Sequence, residues 1–132
     1  MGQTYSIGAF AKAGGVGVET VRYYERRKLL NQPQRGRGSI RRYGEAELSR
    51  LRFIRRAQAA GFSLDEVAAL IQIQRKSSCI EARAMASAKL REVEDRLAAL
   101  RRLREDLKEW VAQCDGNEDK NFCPVLDDLL KI

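Results

Sequence analysis

The longest segment without a helix-breaking residue constrains this 132-residue sequence most strongly. From Ser78 to about Ala112 no glycine or proline occurs, and Ala, Leu, Arg and Glu are abundant. A continuous helix of roughly 33 residues would be about three times the mean length in globular domains. Ser78 and Glu81 have the spacing of a capping box, in which each residue satisfies a free backbone N–H at the start of a helix. The sequence therefore predicts one long helix that begins at Cys79.

This predicted helix carries one apolar stripe. Every seventh residue from Cys79 is Cys, Ala, Val or Leu, and a second row at the same spacing, from Leu90 to Val111, is interrupted only at Arg104. Heptad spacing of this kind is typical of paired helices. Because nothing else in so short a chain is large enough to cover the stripe, we expect an antiparallel coiled coil between two copies. The expected dimer interface consists of Leu90, Val93, Leu97, Leu100, Leu107 and Val111.

Charge is distributed unevenly along the chain. Residues 1–60 hold 13 basic and 4 acidic side chains, a net charge of +9, whereas residues 61–132 hold 12 and 14, a net charge of −2. A concentrated positive charge attracts polyanions such as nucleic acid. We therefore expect the first half of the chain to bind double-stranded DNA.

The start of the chain has the outline of a helix-turn-helix. A first helix is predicted over Ile7 to Ala13, a break at Gly14-Gly15, and a second helix from Val18 to about Lys28. Val21 and Tyr24 are expected to face the core. The remaining residues of the second helix offer hydroxyl, phenol and guanidinium groups, which bind phosphates and base edges in the major groove. These predicted DNA-binding residues are Thr20, Arg22, Tyr23, Arg26 and Arg27.

The segment from Gln32 to Tyr43 contains four arginines punctuated by glycines. Beside a recognition-type helix, this composition favours a basic wing that contacts the DNA backbone, although a solvated loop is the alternative. The residues expected to contact DNA here are Arg35, Arg37, Arg41, Arg42 and Tyr43.

Two further amphipathic helices complete a four-helix N-terminal domain that closes near Gln74. The first, from Glu45 to Ala60, should bury Leu48, Leu51, Ile54 and Ala57; the second, which follows the capping box Ser63-Leu64-Asp65-Glu66, should bury Val67, Leu70 and Ile71. We predict a mainly α fold. It consists of a winged helix-turn-helix domain (1–75), a dimerisation helix (76–113), and a metal-binding loop with a short C-terminal helix (114–132).

Several function classes are excluded by what the sequence lacks. There is no histidine, which removes His-based catalysis and imidazole-containing zinc sites, and there is no nucleophile-base pair or phosphate loop. We therefore expect no enzyme. No run of residues has the length and apolarity of a membrane span, and the N-terminus does not resemble a signal peptide. A cytoplasmic protein without membrane contact is expected.

The three cysteines are predicted to bind a metal. A reducing cytoplasm disfavours structural disulfides, and an odd number leaves one thiol unpaired. Cys114 and Cys123 flank a polar loop, whereas Cys79 lies in the first turn of the long helix, where thiolate is favoured. The alternative, that these residues are small buried hydrophobes, fits such positions poorly.

The length of the predicted helix limits which cysteines can bind the same metal ion. At 1.5 Å per residue, Cys79 and Cys114 of one chain would lie roughly 50 Å apart, too far to share one ion. An antiparallel dimer instead brings Cys79 close to Cys114 and Cys123 of the partner, which predicts two equivalent three-thiolate sites. Sulfur-only ligation selects soft metals, and this reasoning leaves Hg(II), Pb(II) and Cd(II) open.

These motifs together resemble the MerR family of metal-responsive transcriptional regulators, over nearly the whole chain. The matching segments are Tyr5-Ser6-Ile7-Gly8, Glu19-Thr20-Val21-Arg22-Tyr23-Tyr24-Glu25, Arg42-Tyr43, Leu51-Arg52-Phe53-Ile54 and Gly61-Phe62-Ser63-Leu64-Asp65-Glu66-Val67. Cys79, Cys114 and Cys123-Pro124 resemble the mercuric-ion branch of that family. The resemblance implies one Hg(II) per three-thiolate site and two sites per dimer.

The resemblance also implies a mechanism. Such regulators repress transcription without metal and, on binding it, bend and untwist promoter DNA so that RNA polymerase can use an overlong spacer. Four alternatives remain: a Pb(II)- or Cd(II)-responsive regulator, a thiol-redox regulator of the same fold, a protein that only buffers metal ions, and an architectural DNA-binding protein.

Overall fold

The structure is a computed structural model that describes residues 3–33 and 42–131. Within these ranges the chain forms six α-helices, and one isolated antiparallel bridge joins Tyr5 to Tyr43. The prediction of a mainly α fold is confirmed. The helices are α1 (Ile7–Ala13), α2 (Val18–Arg26), α3 (Glu45–Ala59), α4 (Leu64–Lys76), α5 (Cys79–Asp115) and α6 (Pro124–Leu130).

The chain divides into two compact units, Met1–Ala82 and Arg83–Ile132, referred to as unit 1 and unit 2. Unit 1 contains α1 to α4 and the first turn of α5, and unit 2 contains the rest of α5 together with α6. The three functional domains predicted from the sequence stay a prediction, because compactness alone does not test where one function ends and another begins.

A single hydrophobic core holds unit 1 together. It is built from all four short helices, and its largest fully buried side chains are Phe10, Val21, Tyr43, Leu48, Leu51, Ile54 and Val67. The predicted core positions of α3 are thus confirmed, except that Ala57 is only partly buried. Leu70 was expected in the core but is half-exposed, because it lies beside a surface groove shared with Phe53 and Phe62.

Serine side chains cap the first and the last helix of unit 1, α1 and α4. The Ser6 hydroxyl accepts from the Ala9 N–H at the start of α1. At α4 the capping box forms as predicted: Ser63 Oγ accepts from the Glu66 N–H, and the Glu66 carboxylate accepts from the Ser63 N–H. These bonds satisfy donors that a helix start leaves free.

Two glycines make the turn between α1 and α2, each for a different reason. Gly15 has a φ of 72°, a left-handed conformation that costs glycine little. Gly14 lies against the core, and a Cβ added there would be 2.2 Å from Leu51 Cδ2. The turn therefore needs glycine at position 15 for its left-handed backbone and glycine at position 14 because Leu51 leaves no room for a side chain.

Helix ends differ slightly from the prediction. α2 ends at Arg26 because Lys28 adopts a φ of 61° and the chain turns back, with Leu29 N donating to Tyr24 O at 2.9 Å. α5 continues to Asp115, three residues beyond the predicted end, and runs for 37 residues without a break. No helix in the described ranges combines the length and apolarity that crossing a membrane requires.

Candidate nucleic-acid interface and thiol site

α2 separates a buried face from an exposed face. Val21 and Tyr24 are buried, as predicted, and the Tyr24 hydroxyl donates to Gln58 on α3. Arg22 and Arg26 lie on the opposite, exposed side, and Tyr23 is 40% exposed. Thr20, the fourth predicted contact, is half-buried. The core thus fixes the orientation of α2 and leaves its basic and phenolic side chains accessible to a ligand.

Two guanidinium groups lie near the Tyr23 ring. Arg26 and Arg27 lie 5.7 and 5.8 Å from its ring centroid, distances typical of cation–π contacts. Arg27 Nη1 also donates to the Tyr23 hydroxyl at 3.0 Å, and Nη2 donates to Asp65 Oδ1 at 2.8 Å. The hydrogen bond to Tyr23, followed by the charge of Asp65, raises the pKa of Arg27.

The sequence did not predict the bond between Arg27 and Asp65. The two residues are separated by 38 positions, and Asp65 was assigned only to the capping box of α4. Nothing in the local pattern could have revealed this pairing, because it depends on how α2 and α4 pack in unit 1.

Arg42 is the one predicted wing arginine within the described ranges. Its side chain is exposed, and its guanidinium donates to Thr4 Oγ1 at 3.2 Å and to Thr4 O at 3.4 Å. Arg35, Arg37 and Arg41 lie outside the described residues. Contacts between the wing and DNA therefore stay a prediction.

Tyr43 requires a correction. It was expected to contact DNA, but its side chain is only 1% exposed. Its ring stacks on Phe10 with centroids 4.2 Å apart, its hydroxyl donates to Glu25, and its backbone pairs with Tyr5. The aromatic ring fills the core and so anchors the C-terminal end of the predicted wing to α1.

Cys114 and Cys123 are brought together within unit 2. Asn117 folds the intervening loop, because its side-chain amide donates to the carbonyl oxygens of Asp119 at 2.8 Å and Phe122 at 2.6 Å. This loop returns Cys123 to the end of α5, where its thiol is close enough to that of Cys114 for each to shift the pKa of the other. Two of the three predicted metal ligands are therefore neighbours.

The two thiols are not equivalent. Hydrogen bonds from the backbone N–H groups of Leu126 and Val125 stabilise the thiolate of Cys123 and lower its pKa. Desolvation, followed by the hydrogen bond and negative charge of Cys123, raises the pKa of Cys114.

An aromatic side chain lies one helical turn before the thiol pair. Trp110, the single tryptophan of the sequence, is half-buried in a groove that it shares with Phe122 and Pro124. The end of α5 and the start of α6 contribute to this groove.

Cys79 lies in the first turn of α5, where its side chain is exposed. Ser78 Oγ accepts from the Glu81 N–H at 3.3 Å, which confirms the predicted N-cap. Within residues 3–33 and 42–131 of a single chain, no group of three or more Cys, Asp or Glu side chains could hold a metal ion. The three-thiolate site requires a second chain and stays a prediction.

The predicted dimer interface is exposed along α5 of the single chain. Leu90, Val93, Leu97, Leu100, Leu107 and Val111 are 45–61% exposed. Leu103, which the heptad rows omitted, is 50% exposed and lies beside Leu100 and Leu107 in the same apolar groove. The i, i+3 and i, i+4 spacing from those two leucines was the signal that could have identified it.

Comparison with known proteins extends this description to nearly the whole chain. Residues 5–73 match the family described as "MerR HTH family regulatory protein", and residues 48–110 match "MerR, DNA binding". The chain is 44% identical over 127 residues to the "Mercuric resistance operon regulatory protein" of Pseudomonas fluorescens, which covers 96% of this chain and 88% of that protein. The protein of the same name from Shigella flexneri is 43% identical with the same coverage.

A solved structure has the same fold. It is the transcription regulator PbrR691 from Ralstonia metallidurans CH34 in complex with lead(II). The TM-score is 0.80 at 34% sequence identity, and the match covers 93% of this chain and 97% of that one.

Proposed function

Because this chain belongs to the MerR family of transcriptional regulators, we propose that it is a Hg(II)-responsive regulator of mercury-resistance genes. A member of this family binds DNA and is not an enzyme. The observation that carries the proposal is the thiol pair of Cys114 and Cys123, which the Asn117 loop holds close together.

The donor set fits a soft metal ion. Two neighbouring thiols, one with a lowered pKa, supply soft sulfur ligands, and the chain contains no histidine that would add imidazole. In the proposed site these thiols bind one Hg(II) together with Cys79 of the partner subunit. Two such sites form per dimer. The curated relatives at 43–44% identity are named for mercuric resistance, which favours Hg(II).

Pb(II) is the second candidate metal. The solved structure at 34% identity was determined with lead(II), so a regulator of this fold can bind that ion. Both ions are soft enough for sulfur ligation. Cd(II) also binds sulfur ligands, but none of the similar proteins described above is named for it.

The proposed homodimer follows from the exposed apolar face of α5. Antiparallel pairing of two α5 helices would cover the leucines and valines that a single chain leaves in water. The same pairing would bring the first turn of one α5 to the thiol pair of the other. Dimerisation and metal binding are therefore coupled in this proposal.

DNA binding is assigned to the exposed face of α2 and to the wing. Arg22, Tyr23 and Arg26 would contact base edges and phosphates in the major groove, with help from the half-buried Thr20, while Arg42 would contact the backbone. Arg35, Arg37 and Arg41 are proposed as further backbone contacts on the basis of the sequence alone.

Metal binding would change the shape of the promoter. Bending and untwisting a site of this size costs several kcal/mol, and the metal-bound conformation must favour the deformed DNA by a similar amount. The distorted promoter would then be used by RNA polymerase in the cytoplasm. A thiol-redox regulator would produce the same output in response to an oxidant.

Equilibrium dialysis of the reduced protein against Hg(II), Pb(II), Cd(II) and Zn(II), with excess small thiol, tests the metal. We expect Hg(II) to be retained at two ions per dimer and the other metals to be retained less. Preferential retention of Pb(II) or Cd(II) would reassign the metal. Retention of none, combined with a transcriptional response to peroxide, would favour the redox regulator.

A further inference from the structure

Arg27 connects the proposed recognition helix to the start of α4. It follows the last residue of α2, and its guanidinium bridges the Tyr23 hydroxyl and the Asp65 carboxylate. The two hydrogen bonds leave from different nitrogen atoms, Nη1 and Nη2. The planar shape of the guanidinium therefore fixes both partners at once.

The acceptor, Asp65, is an unusual group on a surface expected to face DNA. Its side chain is 93% exposed and carries a negative charge. An exposed ion pair adds little to stability, because water screens it. The relevant feature of this pair is therefore geometric: together with the bond to Tyr23, it holds the Arg27 side chain, which is 38% exposed, in the orientation seen in the structure.

The orientation of Arg27 determines which hydrogen bond Tyr23 can make with a ligand. A phenol has one proton to donate, and its oxygen also accepts. Because Arg27 donates to that oxygen at 3.0 Å, the Tyr23 proton is free to be donated to an acceptor outside the protein. Phosphate oxygens and the acceptor atoms of base edges are such groups.

We propose that Asp65 is a positioning residue for DNA recognition: it holds Arg27 against Tyr23, and Tyr23 then donates its hydroxyl proton to the DNA. This inference rests on the proposal that the exposed face of α2 contacts DNA. In this proposal the preference for one DNA sequence depends on the Arg27–Asp65 hydrogen bond as well as on the side chains that contact the DNA.

Fluorescence anisotropy with the metal-free, full-length protein tests this role. The probes are the tightest duplex that the wild-type protein selects from a random library and a scrambled duplex of the same length and base composition. The measured quantity is the ratio of the two affinities, because a purely structural or purely electrostatic role changes both affinities together.

Arg27→Lys keeps the net charge but loses the planar fork. We expect the preference for the selected duplex to fall about 5- to 10-fold, the size of a lost base-reading contact, and the affinity for the scrambled duplex to change less, because the positive charge is kept. Arg75→Lys makes the same chemical change on α4 and should leave the preference unchanged.

Asp65→Ala removes both the negative charge and the oxygen that accepts from Arg27, and so releases the Arg27 side chain. The scrambled duplex should bind more tightly, while the preference for the selected duplex falls. The double variant should lose no more preference than either single variant, because both changes break the same unit.

Three results would overturn the proposal: an unchanged preference in both single variants, an equal affinity gain for both duplexes with Asp65→Ala, or an equal loss for both duplexes with Arg27→Lys together with a lower melting temperature. If the wild-type protein itself selected no duplex from the library, sequence-specific promoter binding would be contradicted instead.

Discussion

Unit 1 buries its apolar side chains within one chain, whereas unit 2 leaves them exposed. In unit 1 four short helices bury a continuous core that extends in sequence from Phe10 to Ile71. In unit 2 no residue of α5 or α6 within the described part of the chain is buried, although α5 carries a row of leucines and valines. Unit 1 can therefore be stable alone, whereas unit 2 requires a partner.

The two units also differ in how a functional site is completed. The exposed face of α2 is oriented by the core of its own chain, through Val21 and Tyr24. The thiol pair of unit 2 provides two soft ligands and needs a third from elsewhere. The proposed DNA-binding surface is thus complete when one chain folds, while the proposed metal site is complete only when two chains meet.

The largest expected effect tests whether the two chains of the dimer share each metal site. In a heterodimer of one chain with Cys79→Ala and one with Cys114→Ala, crossed sites leave one site intact and deprive the other of two ligands. We expect one Hg(II) to bind with near-wild-type affinity. Each mutant homodimer should bind roughly 10³-fold more weakly, because one of three metal–sulfur bonds is lost.

Competition dialysis against a small thiol measures these affinities. The heterodimer must first be shown to be folded and dimeric. If it bound no metal tightly, the two ligand sets would belong to single chains and the crossed arrangement would be wrong.

The second prediction breaks the pairing of unit 2 directly. Leu97→Asp places a charge in the centre of the exposed apolar row and should weaken dimerisation by at least about 100-fold, since two unpaired carboxylates would be buried per dimer. Sedimentation velocity should show mainly monomers. Ala98→Asp introduces the same charge one residue away from the row and should leave the dimer intact.

The third prediction tests the proposed DNA-binding surface of unit 1. Arg22→Ala should weaken binding to the preferred duplex by about 1–3 kcal/mol and have a smaller effect on other sequences. Arg42→Ala and Arg37→Ala should weaken binding to all sequences similarly, with a reduced salt dependence. Footprinting across a salt series separates the two patterns. Wild-type protection by all three variants would contradict the assignment of α2 and the wing.

The smallest effect concerns the core itself. Gly14→Ala would place a Cβ 2.2 Å from Leu51 Cδ2, so the core must shift, at a cost of about 1–3 kcal/mol. Thermal unfolding should show a lower melting temperature, while the dimer formed through α5 persists. Gly8→Ala is the matched control, because no atom lies within 4 Å of its added Cβ. A stability unchanged by Gly14→Ala would show that Leu51 can move without cost.

Local patterns predicted most of the helices. The spacing of Leu48, Leu51 and Ile54 identified the buried side of α3, and Ser63 with Glu66 marked the start of α4. Such signals act over three or four residues, within the range of a single helical turn. This is why α1 was predicted with its correct ends.

Contacts between residues far apart in the sequence could not be predicted from such local patterns. Tyr43 was grouped with the wing arginines because of its neighbours in the sequence, yet Phe10, 33 positions away, draws it into the core. The Arg27–Asp65 bond likewise depends on the packing of α2 and α4. Of the proposed metal site, the sequence correctly indicated a loop with a cysteine at each end, but not the unequal pKa values of the two thiols, which depend on backbone donors in α6.

The position of Trp110 has a practical consequence. The indole lies one helical turn before Cys114 and beside Phe122, and the chain has no other tryptophan. A heavy ion bound at the neighbouring sulfur atoms would quench its emission, and a movement of the loop would change the polarity around it. Each chain therefore carries an intrinsic optical probe of the thiol pair, so occupancy can be followed in real time without a label.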